Sequence, residues 1–234
     1  MAITRTDING DFAALKAALE TLVPDFFATV IFDDDTTPTT IHCKDADDNT
    51  IFEIEKNTSA NAWQCRVYKG SEEYQEQLMT QSSGGAAMFQ YMYKVGNSGA
   101  FLTYKGGDTY GPVIIAKTNT GKTGFAMPQA LSSSAYTKVT TYIVGCWGDD
   151  TSQNSTLVIA NTQNMTAPNT PMTGNHTLFV PIPLHGSYSE QLYMQKAYFL
   201  PIAQTGQRGV IQELADSTSG ERYLSNGYVA MLDG

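Results

Sequence analysis

The stretch of this chain whose spacing most resembles a catalytic device is AKTNTGKT, residues 116–123. Alanine, four residues and then GKT is the relaxed form of a phosphate-binding loop, which would act through Lys122 and Thr123. That chemistry needs a buried parallel strand leading in. It also needs a helix that begins at GKT, so that its N-terminal amides face the phosphates. Residues 113–116 could supply the strand. Gly124 and Pro128 fall where the helix would run, and an interior proline costs about 3 kcal/mol there. The nearest acidic candidates for magnesium, Asp149 and Asp150, follow YIVGCWG. The expectation is therefore a hairpin turn, NTGK, between PVIIA and TGFAM.

A second cluster is the acidic run Asp45, Asp47, Asp48 and Asn49, with Asp33–Asp35 upstream. Hard oxygens on one loop suit calcium, which makes Asp45, Asp47 and Asn49 its candidate ligands. DADDN opens like a calcium loop, but Thr50 stands where the turn glycine belongs and no glutamate closes it. A solvated turn is expected. The histidines His42, His176 and His185 are isolated, and no G-x-S-x-G string supports a nucleophile. Cys43 beside His42 is not a dyad, because neighbouring strand residues point to opposite faces. Cys43, Cys65 and Cys146 are odd in number, with neither a CxxC nor zinc spacing, and read as buried small apolar residues in a reducing compartment. Carboxylate-assisted cleavage of a carbohydrate has no pair of residues that singles itself out. No catalytic residue, cofactor or metal is assigned, and the chain is expected not to be an enzyme.

The aromatic residues are the more suggestive chemistry. Tyr91, Tyr93, Tyr104, Tyr110, Tyr188 and Tyr193 join Trp63 and Trp147. A tyrosine offers a flat apolar face and a polar tip, useful at protein interfaces and against sugar rings. Trp63, Trp147 and Tyr110 are the binding candidates.

The elements that must position these residues are mostly strands. Charged residues are 16% of the chain, with Thr, Ser, Asn and Gly in their place, which favours strands over charge-rich helices. One helix is expected at 6–23, capped by Thr6 or Asp7 and closed by Pro24, with Phe12, Leu15, Leu19 and Leu22 as its buried stripe. An antiparallel meander follows at 26–32, 39–43, 50–55 and 62–68, joined by turn-forming DDDTTP, KDADDN and KNTSAN. Along 51–55, Ile51, Glu53 and Glu55 should face water while Phe52 and Ile54 face the core. Residues 71–79 read as a short helix capped by Ser71. Three aromatic-rich runs separated by glycine-dense turns fill 86–127. Later strands are expected at 137–147, 156–161, 210–214, 222–224 and 228–232. Residues 131–134 and 162–175 read as loops, and 188–196 as a helical turn. Residues 176–184 carry Pro181 and Pro183 and suit an edge strand.

The fold class expected is mainly β: an antiparallel β-sandwich or barrel-like sheets with one N-terminal amphipathic helix. QSSGGAA at 81–87 suggests a division into 1–82, helix plus meander, and 83–234, a larger β domain. A single continuous domain is the alternative. A net charge of −9 makes free nucleic acid an unexpected partner. No run of about 18 apolar residues predicts a membrane span, and the N-terminus lacks an apolar signal core.

The ending QRGVIQELADSTSGERYLSNGYVAMLDG, the Thr/Asn/Gly-rich strands and the leading helix together resemble bacteriophage or prophage virion structural proteins. The resemblance is carried most by ERYLSNGYVAMLDG. It implies a non-enzymatic subunit of a tail, tail tip, fibre or capsid accessory layer, made in the bacterial host cytoplasm and built into the virion. Its partners would be copies of itself and other virion proteins. The alternatives are a glycan- or receptor-binding β-sandwich module, with a host-surface glycan as partner, and a phosphate-loop-like or carbohydrate-cleaving enzyme.

Overall fold

The computed structural model describes residues 3–57, 62–69, 72–78, 88–103, 113–128, 142–146, 155–157, 180–183, 193–199, 211–215, 219–225 and 229–233. The chain is mainly β; its described residues form three open antiparallel sheets and one short helix near the start.

The first element corrects the expected helix. Residues Ile3–Asp7 form strand β1, and helix α1 spans only Phe12–Glu20. The cap is Asp11, whose carboxylate accepts the Ala14 amide at 2.8 Å, and not Thr6 or Asp7. Between strand and helix, Asn9 and Gly10 take positive φ (52° and 74°), a turn that a helix could not run through. The amides of Ile8 and Asn9 both donate to the Gln90 carbonyl, at 2.8 and 3.0 Å, and this fixes where the strand ends. The apolar stripe is as expected: Phe12, Leu15, Leu19 and Leu22 are all buried.

The meander is β2 (Thr29–Phe32), β3 (Thr40–Lys44), β4 (Thr50–Asn57), β5 (Ala62–Lys69) and β6 (Glu72–Leu78), in sequential antiparallel order. β6 replaces the expected helix at 71–79. Its backbone pairs with β5 from Lys69↔Glu72 to Gln64↔Leu78. Only Tyr74 and Leu78 of EEYQEQL are apolar, too few to hold a helix on a core, whereas charged residues suit the sheet edge that β6 occupies. The expected wet face of β4 is corrected at Ile51, which is buried in the core, whereas Glu53 stays on the outer face and is buried there among His42 and Arg66. Ile51 is an extra residue between the pairs Lys44↔Thr50 and Cys43↔Phe52, and such a bulge re-aims a side chain.

The central stretch builds the next sheet. It contains β7 (Tyr91–Val95), β8 (Gly99–Thr103), β9 (Val113–Lys117), β10 (Thr123–Pro128), β11 (Tyr142–Cys146) and β12 (Ser155–Leu157), with β1 added beside β7. One face of this sheet shares a core with α1 and the inner face of the meander. Leu15, Ile54, Phe89, Leu102, Ile115 and Phe125 all belong to it. The result is sandwich-like, and among the described residues no sheet closes into a barrel.

The last sheet holds β13 (Val180–Pro183), β14 (Tyr193–Phe199), β15 (Gln212–Ala215), β16 (Arg222–Ser225) and β17 (Val229–Leu232), in the order β13-β14-β17-β16-β15. β13 is an edge strand with a register shift between its two prolines, as missing amide donors require. β14 replaces the expected helical turn over 193–196, because this segment pairs with β13 on one side and β17 on the other. A single bridge, Thr118↔Met194, links β14 to the turn after β9. The segments 81–87, 131–134 and 162–175 lie outside the described residues.

Candidate interaction surfaces

The loop at 116–123 is a β9–β10 hairpin. The Thr118 amide donates to the Lys122 carbonyl at 2.8 Å, and the Gly121 amide to the Thr118 carbonyl at 2.9 Å. The Lys122 amide donates to the Thr118 hydroxyl at 3.0 Å. No helix begins at GKT. Thr123 opens β10 instead, and its buried hydroxyl donates to the Phe26 carbonyl at 2.6 Å. The amides that would face a phosphate are therefore engaged within the turn, and the hydroxyl that would hold magnesium anchors a neighbouring segment.

The three calcium candidates share one hairpin turn, β3–β4. One oxygen of the Asp45 carboxylate accepts the amides of Asp47 and Asn49, each at 2.9 Å, and the other accepts the Asn49 side-chain amide at 3.2 Å. Asp48 sits at φ 64° and meets Lys44 Nζ at 2.8 Å. The sequence DADDN thus builds its own tight turn. Among the described residues, no group of three or more His, Cys, Asp or Glu is placed to hold a metal ion.

Trp63 is not a surface platform. It is 3% exposed and packs edge-on to Phe12 (5.5 Å between centroids) and tilted to Phe89 (5.8 Å). It belongs to the core and is a packing residue. Trp147, Tyr110, His176 and His185 lie outside the described residues. Cys43 and Cys65 are fully buried thiols, and desolvation pushes both well above the ordinary thiol range. Thiols held neutral in this way pack as small apolar side chains. Cys146 lies on β11. His42 and Cys43 do point to opposite faces, the thiol inward and the imidazole outward.

Two clusters on the sheet faces were not found from sequence. The first runs across the outer face of the meander. Register places His42 opposite Glu53, and Glu53 opposite Arg66. Arg66 reaches Glu53 at 2.6 Å and Glu55 at 2.5 Å. The Tyr68 hydroxyl donates to Glu53 at 3.2 Å. His42 Nδ1 lies 3.2 Å from the second Glu53 oxygen, without the alignment of a hydrogen bond. Burial alone would raise the Glu53 carboxyl, but the contacts from His42 and Arg66 outweigh it and hold the group below its ordinary value. Together these contacts form a cross-strand ionic ladder.

The second cluster lies at the β1–β7 edge of the seven-stranded sheet. Arg5 faces Tyr93 and Asp7 faces Tyr91 in register. The Arg5 guanidinium crosses diagonally to lie 4.0 Å from the Tyr91 ring centroid, and its Nε donates to Asp7 at 2.7 Å. The two tyrosine rings are half-buried, with centroids 6.4 Å apart and planes at 62°. Burial raises the Tyr93 phenol, partly offset by Arg5. The alternation in ITRTD and in YMY carried this signal. Assigning 6–7 to a helix concealed it.

No protein-family model, curated protein or solved structure matches this chain.

Proposed function

We propose that this protein is a non-enzymatic subunit that works by packing against other protein chains in a symmetric assembly. A virion is the setting suggested by the resemblance of its C-terminal segment, whose described parts form β15, β16 and β17. The observation that carries the reading is strand β2. It is one of the two outer strands of the meander among the described residues, with β6 at the other edge. Its sequence, TVIF, has no charge, proline or glycine, and Ile31 is 40% exposed, the exposed large hydrophobic residue of the described chain. Such an edge is a template for another strand, and proteins that stay alone protect it with lysine, proline or a bulge.

Antiparallel pairing of two β2 strands centred on Ile31 sets Thr29 beside the partner's Asp33. The acidic runs at 33–35 then leave the junction at opposite ends. Five residues of each strand, 29–33, bury far less than a standard interface of about 1,600 Å², so this strand sets register and other surfaces supply area. The paired state of the Glu53–Arg66 ladder and the hairpin geometry at Lys122 and Thr123 support the non-enzymatic part of the reading.

The test is native mass over a concentration series for the parent protein and for Ile31→Lys. A closed oligomer that shifts toward monomer in the variant, with an unchanged melting temperature, is the expected result. A monomer of 25.5 kDa at every concentration up to about 1 mM, identical in the variant, would overturn the reading.

A further inference from the structure

We infer that Tyr91, Tyr93, Arg5 and Asp7 form a binding site for a neutral carbohydrate at the β1–β7 edge. The inference is independent of the assembly proposed above, which rests on a different sheet. Both tyrosines stand on the same face of β7, two residues apart, and each has its cross-strand neighbour on β1. Arg5 and Asp7 are 48% and 57% exposed, so their hydrogen-bonding edges reach solvent while the half-buried rings provide a firm floor. The Arg5–Asp7 bond and the guanidinium–ring contact fix these groups before any ligand arrives.

The chemistry of the four side chains selects the ligand class. A pyranose offers apolar C–H faces to a phenol ring and a rim of hydroxyls that both donate and accept. The site offers rings, guanidinium donors, a carboxylate acceptor and two phenol hydroxyls. Its formal charge is balanced, +1 from Arg5 against −1 from Asp7. An anionic ligand would meet the Asp7 carboxylate and a cationic one the Arg5 guanidinium, so a neutral ligand is favoured. A docking helix would need aliphatic pockets, and the exposed large aliphatic residue among the described ones, Ile31, is on another sheet. Placement on paired strands gives the site the rigidity that recognition requires.

The experiment is saturation-transfer NMR on the full chain with four neutral hexasaccharides: maltohexaose, cellohexaose, xylohexaose and chitohexaose. At least one should receive saturation and bind in the millimolar range or tighter. Its affinity should fall by about tenfold or more in Tyr91→Ala/Tyr93→Ala and fall measurably in Arg5→Gln. Ile31→Lys should bind as the parent does, which separates this site from the β2 edge. If the double alanine variant fails to fold, Tyr91→Leu and Tyr93→Leu made singly, together with Arg5→Gln, carry the comparison. No transfer to any of the four sugars at about 5 mM, or transfer that survives loss of the rings, would overturn the inference. Capture of a peptide ligand at these rings with no sugar bound would do the same.

Discussion

The rings of Phe52 on β4 and Phe125 on β10 stack with centroids 4.8 Å apart and planes at 15°, joining the meander to the seven-stranded sheet. Phe27 extends the stack, 6.2 Å from Phe125. The Thr123 hydroxyl holds the adjacent Phe26 carbonyl two residues from the ring. Phe125→Ala should therefore destabilise by about 3–5 kcal/mol, the range for a fully buried aromatic. A double-mutant cycle of Phe52→Leu with Phe125→Leu should show a coupling of about 0.5–1.5 kcal/mol. Denaturant titration of the four proteins measures both. Additive losses would show that the two rings act independently and that the sheets are joined elsewhere.

Two glycines separate close packing from turn geometry. A Cβ on Gly99 would sit 2.0 Å from the Ile115 carbonyl oxygen, with Ala116 Cα at 3.1 Å, and Gly99 holds φ at 153°. The neighbouring strand β9 cannot retreat without breaking its pairing with β8. Gly99→Ala should cost more than about 3 kcal/mol, beyond ordinary overpacking. Gly121, at φ 83° in the β9–β10 turn, has open space where a Cβ would go. Gly121→Ala should cost only the left-handed backbone term, about 1–2 kcal/mol. Thermal melts that gave the reverse order would mean that β8 and β9 are less tightly apposed than described.

The stripe Phe12–Leu15–Leu19, the meander turns and the proline-bearing edge strand β13 were legible because each is set by local spacing or by a missing amide. β1, β6 and β14 were not. Residues 3–7 become a strand because residues 91–95 present an edge to them, and EEYQEQL becomes one because β5 does the same. Pairing partners so distant leave no mark in a local window. The burial of Trp63 has the same origin. Its exposure depends on Phe12 and Phe89, 51 and 26 residues away, and not on its own strand. The hairpin at 118–122 was legible because Gly124 and Pro128 excluded a helix on local grounds. The Arg5–Tyr91 and Glu53–Arg66 contacts needed register, which no composition supplies.

The ionic ladder makes stability depend on acid. The Glu53 carboxyl titrates below its ordinary value of 4.5 in the folded chain. Its contribution is then fully present above that value and is lost as pH falls through the lower, folded one. Arg66 stays charged throughout, because Glu53 and Glu55 hold its proton. Glu53→Gln should destabilise the protein by about 1.5–3 kcal/mol at neutral pH, the range for a charged hydrogen bond. The gap between variant and parent should narrow as pH drops below about 4.5. Melting temperatures of both proteins from neutral pH down to about 3 test this. A gap that stayed constant would assign the loss to packing around Gln64 and Tyr68 and not to charge.

Thr103 lies opposite Tyr91 on β8, buried, and its hydroxyl has no hydrogen-bond partner among the described residues. A buried hydroxyl left unpaired costs folding free energy that an apolar group of the same shape does not. Thr103→Val keeps the branched shape and the strand preference while removing that group. The expected result is a gain of about 0.5–1.5 kcal/mol in denaturant unfolding, with the Tyr91 and Tyr93 rings left in place. Sugar binding at those rings should then match that of the parent. A loss of stability instead would show that the hydroxyl has a partner in solution, and a loss of sugar binding at unchanged stability would place that partner in the ligand.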